Sequence, residues 1–295
     1  MKNKIIIAGA NGFIGSYLVH YFAQKGWEVV GLVRSHIEDG DHIRYVVWDG
    51  KNMGYWQREL ESSYAVINLS GRSVDCRYNR KNRDEIYNSR LDSTYILGKA
   101  IEQCLIKPKY WLNAASATIY RHSEDKPMTE SNGEIGHGFS VDVCKKWEEL
   151  FFGFRHLGIP LVGLRIAITL GEQGGVMSHF KWLVRFGLGG RLGSGNQMFS
   201  WIHIDDLARA IAFILENKSP KEVYNLSHPQ PMKNTVFMQK LRKKFRVPLG
   251  LPNPLWLLKI GAVLIQTEIE LIVKSRYVIP ENLISEGFQF EVNDI

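Results

Sequence analysis

Residues 1–15 read MKNKIIIAGANGFIG. An apolar run over 5–8 meets glycines at Gly9, Gly12 and Gly15, and a helical pattern follows at once. The order carries the meaning. A strand delivers the chain to a tight turn, and glycines let the backbone approach a pyrophosphate. The next helix then aims its free N–H groups and the positive end of its dipole at the anion. The spacing is G-x-x-G-x-x-G, placed after a strand and before a helix as a dinucleotide motif requires. A glycine-rich strand-to-helix turn without a ligand is the alternative. The candidate contacts in this turn are Gly9, Asn11, Gly12, Phe13, Ile14 and Gly15.

Working outward, strand-length apolar runs alternate with helical patterns. The first half predicts strands over 5–8, 28–33, 43–48, 64–69, 110–115 and 161–168. Helices are expected over 16–25, 80–104 and 141–157, the last ended by Gly158 and Pro160. Buried strands joined by helices imply a parallel sheet covered on both faces, and right-handed crossovers make it doubly wound. The fold class is therefore α/β, a Rossmann-type sheet with a smaller C-terminal lobe. A boundary is expected near residue 170. Residues 1–170 form the dinucleotide domain, with a return to it at about 198–228, and 171–295 mostly form a substrate lobe. Within that lobe, 187–195 (GLGGRLGSG) reads as a flexible segment and 201–215 as a short strand and helix. Residues 255–273 read as a helix and 278–290 as a short helix with a final strand. Ligands of such sheets lie at the C-terminal ends of the strands.

Composition narrows the function. The chain has 295 residues, 45% hydrophobic and 23% charged, with a net charge of +7. Its Lys and Arg are scattered and no nucleic-acid motif accompanies them, which points away from nucleic acid and toward anionic small ligands. Cys76, Cys104 and Cys144 are too few and dispersed for a disulfide framework or a metal site, so no metal is expected and a reducing cytoplasm is the simplest compartment. The chain enters its first strand without room for a signal peptide, and its longest apolar stretch, over 255–265, is interrupted by Lys259. It falls short of the ~20 residues of a membrane span.

The whole chain resembles an extended-type short-chain dehydrogenase/reductase. More narrowly it is similar to the atypical "epimerase family protein" group. The resemblance rests on GANGFIG (9–15), INLSG (67–71), NSRLDST (88–94) and ASATIY (115–120). Further carriers are LRIAITLGEQGG (164–175), LGSGNQMFSWIHIDDL (192–207), YNLSHPQP (224–231) and VIPENLISEGFQF (278–290).

For the cofactor, a ribose 2′-OH is usually gripped by an acid at the end of the second strand, whereas a 2′-phosphate needs a cation. Here that strand ends Val33-Arg34-Ser35, so Arg34 and Ser35 favour NADP, while Glu38 and Asp39 keep NAD open. The resemblance gives Asp49 an adenine contact; a turn former before Gly50 is the alternative. It lays Asn68, Leu69, Ser70 and Gly71 along the pyrophosphate and nicotinamide ribose, with Ala115 beside them.

Family members use Ser, Tyr and Lys, with an asparagine supporting the lysine. Ser116 matches the serine. The helix that should carry Y-x-x-x-K reads FSVDVCKKWEEL (139–150), so Ser140 takes the tyrosine place and Cys144 the lysine place, and Arg90 takes the asparagine place. Candidate catalytic residues are therefore Ser116, Cys144, Arg90 and Tyr120. Tyr120 would act as proton donor or be a packed aromatic. Cys144 would be a thiolate beside Arg90 or an inert buried cysteine. Arg90 doubles as a cofactor-side residue. Arg165, Arg191 and Gln197 are candidate substrate contacts. His203 either orders the sheet return or serves as an imidazole catalyst; Asp205 and Asp206 read as helix caps, and Trp147 and Trp201 as core or cleft wall.

The resemblance implies an NADP(H)-dependent oxidoreductase of a small carbonyl, alcohol or sugar-like substrate. A nucleotide-sugar epimerase or dehydratase and a non-catalytic NADP-binding sensor are the alternatives. The expected partner is a small-molecule substrate, without nucleic acid or membrane, and a homodimer by analogy.

Overall fold

The amphipathic runs of the first half become alternating strands and helices. The computed structural model describes residues 3–172, 174–264 and 266–295. The chain runs β1 (Lys4–Ala8), α1 (Phe13–Gln24), β2 (Glu28–Val33), β3 (Ile43–Val47), β4 (Ala65–Asn68) and α2 (Arg80–Glu102). Next come β5 (Tyr110–Ser116), α3 (Phe139–Phe152), β6 (Leu161–Ile166), β7 (Ile168–Leu170) and α4 (Met177–Arg185). Then follow β8 (Met198–Phe199), β9 (Trp201–His203), α5 (Ile204–Glu216), β10 (Val223–Leu226), β11 (Met232–Lys233) and α6 (Asn234–Lys244). The chain closes with α7 (Leu255–Leu264), α8 (Ile269–Val273) and α9 (Glu281–Ser285).

Seven strands form one sheet in the order β10-β6-β5-β4-β1-β2-β3, every neighbouring pair parallel. The order reverses direction between β1 and β4, which opens the crevice where doubly wound sheets bind ligands. Each face is covered by its own apolar core. Ile5, Ile7, Leu18 and Phe22 pack with Leu207 and Ile211 on one side. Ile6, Val66, Leu97 and Ile101 pack with Trp111 and Phe151 on the other. Alternate residues of β1 thus face opposite cores, the period-two consequence of a strand buried on both sides.

A third core joins α4 and α6 through Val184, Phe237, Met238 and Leu241. Two small sheets, β7 with β9 and β8 with β11, lie beside it. Of the expected return over 198–228, Val223–Leu226 enters the main sheet, and Trp201–His203 pairs with β7 instead.

Several elements differ from expectation for identifiable reasons. Helix α1 begins at Phe13 rather than 16, because the glycine turn hands directly into it. Residues 153–157 tighten into a 3-10 helix after α3, stopped by Gly158 at φ +71°. The expected helix over 255–273 divides into α7 and α8; Ile265 lies outside the described residues, and Gln266 takes φ +56°. No strand forms among the described residues after α9. The amides of Glu291 and Val292 are satisfied by the Asp206 carboxylate rather than by a ladder, while Phe288 and Phe290 pack on the first core. The 187–195 segment is held, not loose: the amides of Gly190 and Gly193 donate to Leu251 and Asn253. Among the described residues no helix is long and apolar enough to cross a membrane.

Candidate functional site

At the switch point the glycine turn meets the ends of β4 and β5. Gly9 has φ +78°, and a Cβ there would stand 3.0 Å from the Leu69 carbonyl carbon. A Cβ on Gly15 would fall 2.1 Å from Gly9 O, so only glycine lets α1 start so close beneath the turn. Gly12 caps α1 without a side-chain partner, and no acid occupies the first turn. The first amides of a helix have no intrahelical acceptor. Those of Phe13, Ile14 and Gly15 belong to residues that line a cavity of about 570 Å³. The ring of Phe13 is wrapped by the chain at 171–175, where Cβ atoms on Gly171, Gly174 and Gly175 would approach it to 3.0, 3.0 and 2.8 Å. Gln173, part of this motif, lies outside the described residues.

Leu69, Ser70, Gly71, Arg90, Ala115 and Ser116 line the same cleft. Ser70 Oγ is buried and has no hydrogen-bond partner among the described residues, the kind of atom a ligand satisfies. Asn68 is different. Its side chain is fully buried, donates to Thr94 Oγ1 (3.1 Å) and Asn113 Oδ1 (2.8 Å), and accepts the Ser70 amide (3.0 Å). It positions the loop instead of lying along the ligand. Trp147 extends the network by donating to Thr94 Oγ1 at 2.9 Å, and it forms cleft wall. Asn11 is exposed at the turn and does not line the cleft.

Arg34 and Ser35 are exposed at the end of β2. Asp39 is committed elsewhere: its Oδ1 accepts the Tyr45 amide at 2.7 Å. Asp49 is a turn former. Its Oδ1 accepts the amides of Lys51 and Asn52, and its Oδ2 the Asn52 carboxamide, which holds its pKa below the ordinary carboxylate range. Asp49 is exposed and its Oδ2 holds one hydrogen bond, so the turn leaves acceptor sites for an adenine contact.

Ser116 ends β5. Its Oγ accepts the Thr118 amide at 3.2 Å, which leaves the hydroxyl proton free to donate into the cleft. Arg90 is half-buried in the cleft wall. It donates to the carbonyls of Arg72 (3.0 Å) and Ile86 (3.1 Å), and its guanidinium lies 5.2 Å from the Trp147 ring centre. Among the described residues no carboxylate pairs with it, and burial pulls its pKa down. A buried cation without a counter-charge is costly, and an anion in the cleft would relieve it. Cys144 also lines the cleft, but burial pushes its thiol up to about 11 against the opposing Arg90 charge. Burial thus favours the protonated thiol of a small buried cysteine.

Five candidate roles do not fit the structure. Tyr120 is a packed aromatic: 2% exposed, it donates to Asn225 Oδ1 (2.9 Å) and accepts from Arg165 (2.8 Å), away from the cleft lining. Burial raises its pKa despite Arg165. Arg165 is engaged as well, bidentate to Glu148 at 2.8 Å through both Nε and Nη2. Gln197 is buried, with Nε2 donating to the Leu192 carbonyl and Oε1 accepting from Ser194. Arg191 is exposed and lines neither the dinucleotide cleft nor the cavity beside it. His203 caps α5 by accepting the Asp205 amide at 3.3 Å, which removes the catalytic imidazole. Trp201 is core, stacked on His228. The expected caps Asp205 and Asp206 do not cap α5, whose cap is His203: Asp205 accepts from Tyr17, and Asp206 anchors Arg209.

Several cleft residues carry no sequence signal, and Tyr78 is the one with a phenol. Tyr78, just before α2, lines the cleft, and its hydroxyl lies 3.4 Å from Ser140 Oγ. Ser140 Oγ in turn donates to Glu270 at 3.3 Å. A phenol is thus delivered from another segment to the position where the family pattern puts its tyrosine. No local motif marks it, since Tyr78 and Ser140 are 62 residues apart. Lys274, behind the cleft, donates to the Thr118 carbonyl at 2.8 Å, and burial lowers its pKa to about 8. Among the described residues no group of His, Cys, Asp and Glu could hold a metal ion.

Sheet order, glycine turn and switch-point cleft together define an extended short-chain dehydrogenase/reductase architecture. The chain belongs to the NAD-dependent epimerase/dehydratase family, whose model matches residues 5–227. An epimerase family protein of Staphylococcus epidermidis is 29% identical over 294 residues, covering 99% of this chain and 96% of that protein. The human epimerase family protein SDR39U1 (isoform 2), solved with NADPH, superposes with a TM-score of 0.85 at 28% identity, covering 99% of this chain and 96% of that one. MoeE5, solved with UDP-glucuronic acid and NAD, shares the fold at 18% identity and a TM-score of 0.76, covering 99% and 95%.

Proposed function

We propose that the chain is an NADP(H)-dependent oxidoreductase that interconverts a small carbonyl compound and its alcohol. One observation carries this reading: the glycine cradle of α1 and the hydroxyls of Ser116 and Tyr78 open into one cavity. The cradle fits a dinucleotide on its own geometry, through the close approach at Gly9 and Gly15, the free first-turn amides and the orphaned Ser70 hydroxyl. Gly12–Gly15 would hold the pyrophosphate, and Arg34 with Ser35 the 2′-phosphate. The NADPH in the human relative supports that choice over NAD. NADP(H), when bound, supplies or accepts the hydride.

The protein's own work is positioning and proton handling. Ser116 fixes the substrate oxygen with its free proton. Tyr78 supplies the proton that oxygen takes up on reduction. Burial holds the Tyr78 pKa above that of a free phenol, so it enters the reaction protonated. Arg90 offsets negative charge on the cofactor side.

The test is NADPH oxidation with a panel of aldehydes and ketones. Tyr78→Phe and Ser116→Ala should each lower kcat by roughly a hundredfold or more, with NADPH affinity unchanged and with Tyr120→Phe close to wild type. Equal activity in Tyr78→Phe and wild type would remove Tyr78 from the mechanism. NADPH binding without turnover of any carbonyl would favour the non-catalytic sensor.

A further inference from the structure

A second cavity, about 720 Å³, lies beside the dinucleotide cleft and shares Ser73, Val74, Ile168, Val176 and Leu271 with it. The two therefore adjoin along this mostly apolar stretch. Beyond that stretch the walls come from α4 and α7, with Phe180 and Leu183 on one side and Leu257, Leu258 and Ile260 on the other. Ile260 and Leu264 line the cavity and are also 52% and 77% exposed, so its outer end opens along α7.

The polar groups of this cavity are turned toward each other. Asp75 accepts from the Thr267 hydroxyl, and its second oxygen lies 3.5 Å from His179 Nε2. The Asn253 carboxamide donates to the carbonyls of Leu188 and Leu251. No Lys or Arg is among the described residues lining it. A nucleoside diphosphate needs cations or several free donors to replace its water, and burying it here would leave two phosphate charges uncompensated. An aliphatic or aromatic chain loses nothing polar on entry. The volume falls within the ~300–1,000 Å³ of ligand pockets.

We infer that this cavity binds the apolar body of the substrate, so that the enzyme acts on a hydrophobic carbonyl compound or alcohol rather than on a nucleotide sugar. The inference rests on the proposed oxidoreductase reading only for where the reacting carbon sits, in the dinucleotide cleft beside Ser116. Occupancy of the cavity is a separate, equilibrium property.

The test is binding of the neutral fluorophore N-phenyl-1-naphthylamine to the full chain with and without saturating NADPH. Displacement is measured with straight-chain primary alcohols from butanol to decanol and with UDP-glucose. The expected result is one saturable probe site, with each added methylene improving displacement about three- to fourfold, and no displacement by UDP-glucose. Leu183→Lys should weaken the probe at least tenfold while NADPH binding is retained. Trp256→Gln, on the 63% exposed side of α7, should bind the probe as wild type does. If Leu183→Lys does not fold, the chain-length series on the wild type decides alone. Displacement by UDP-glucose, absence of a chain-length trend, or no saturable probe site would overturn the inference. The oxidoreductase reading fails by a different result, loss of NADPH binding or of NADPH-dependent turnover, with the probe site intact.

Discussion

Two glycines of the turn act in different ways, and their variants should separate. A Cβ at Gly12 stands 3.3 Å from Gly9 O, close enough to need only a small shift. Gly12→Asp should therefore fold and lose the dinucleotide through like-charge repulsion at the helix N-terminus. Gly15→Ala meets a backbone oxygen at 2.1 Å and should lose stability as well. Cys144 gives a cleaner test of local electrostatics. With its thiol raised to about 11, it should resist iodoacetamide at pH 8 while the more exposed Cys76 reacts. Rapid modification of Cys144 at that pH would restore the thiolate. Lys274 predicts a pH dependence. Its pKa is lowered from 10.5 to about 8 in the folded chain, so the unfolded chain binds more protons between those values. Stability then rises with pH across that window, and the cost of the buried charge is fully present below about 8. In urea unfolding, the stability of Lys274→Met relative to wild type should be greatest below pH 8 and shrink toward pH 10. A pH-independent difference would contradict the shift.

At the scale of elements, the loop after β4 is shaped by one buried amide. Asn68→Leu leaves the Ser70 amide and the Asn113 and Thr94 side chains short of partners. It should cost about 2–4 kcal/mol in urea unfolding, since each unsatisfied buried group costs ~1–3 kcal/mol. NADPH affinity should fall with it. A loss below 1 kcal/mol would mean that the network is not what fixes the loop. This residue also shows what a sequence can and cannot convey. The strand carrying Asn68 reads clearly as an apolar run, and the glycine turn reads clearly as a cradle, because both signals lie in a few adjacent residues. Whether Asn68 touches a ligand or a neighbour depends on Thr94 and Asn113, which reach it from α2 and β5. Tyr120 and Tyr78 make the same point in opposite directions. Tyr120 sits five residues from the Ala115 strand end and looks exposed to substrate, yet Arg165 and Asn225 draw its hydroxyl into the core. Tyr78 carries no motif and reaches the cleft through the chain's path into α2. Helices α4 and α6 carry weaker sequence signals, because their apolar faces, through Val184 and Phe237, find each other only in three dimensions.

At the scale of the whole molecule, a cleft at the sheet's switch point lies beside an apolar cavity walled by α4 and α7. The C-terminal segment ties the two together. Asp206, opening α5 beneath the main sheet, holds the amides of Glu291 and Val292 and the Arg209 guanidinium. Segment 268–276 meanwhile carries Glu270 to Ser140 and Lys274 to Thr118, behind the cleft wall. This arrangement has a purpose only if a dinucleotide occupies the turn. Isothermal calorimetry of NADPH and NADH with wild type, Arg34→Ala and Gly12→Asp tests that most directly. NADPH should bind the wild type at one site and more tightly than NADH by about tenfold or more, the worth of a charge-assisted hydrogen bond. Arg34→Ala should erase that preference and Gly12→Asp should abolish binding. Heat of binding for neither nucleotide in the wild type, or unchanged NADPH affinity in Gly12→Asp, would contradict the account.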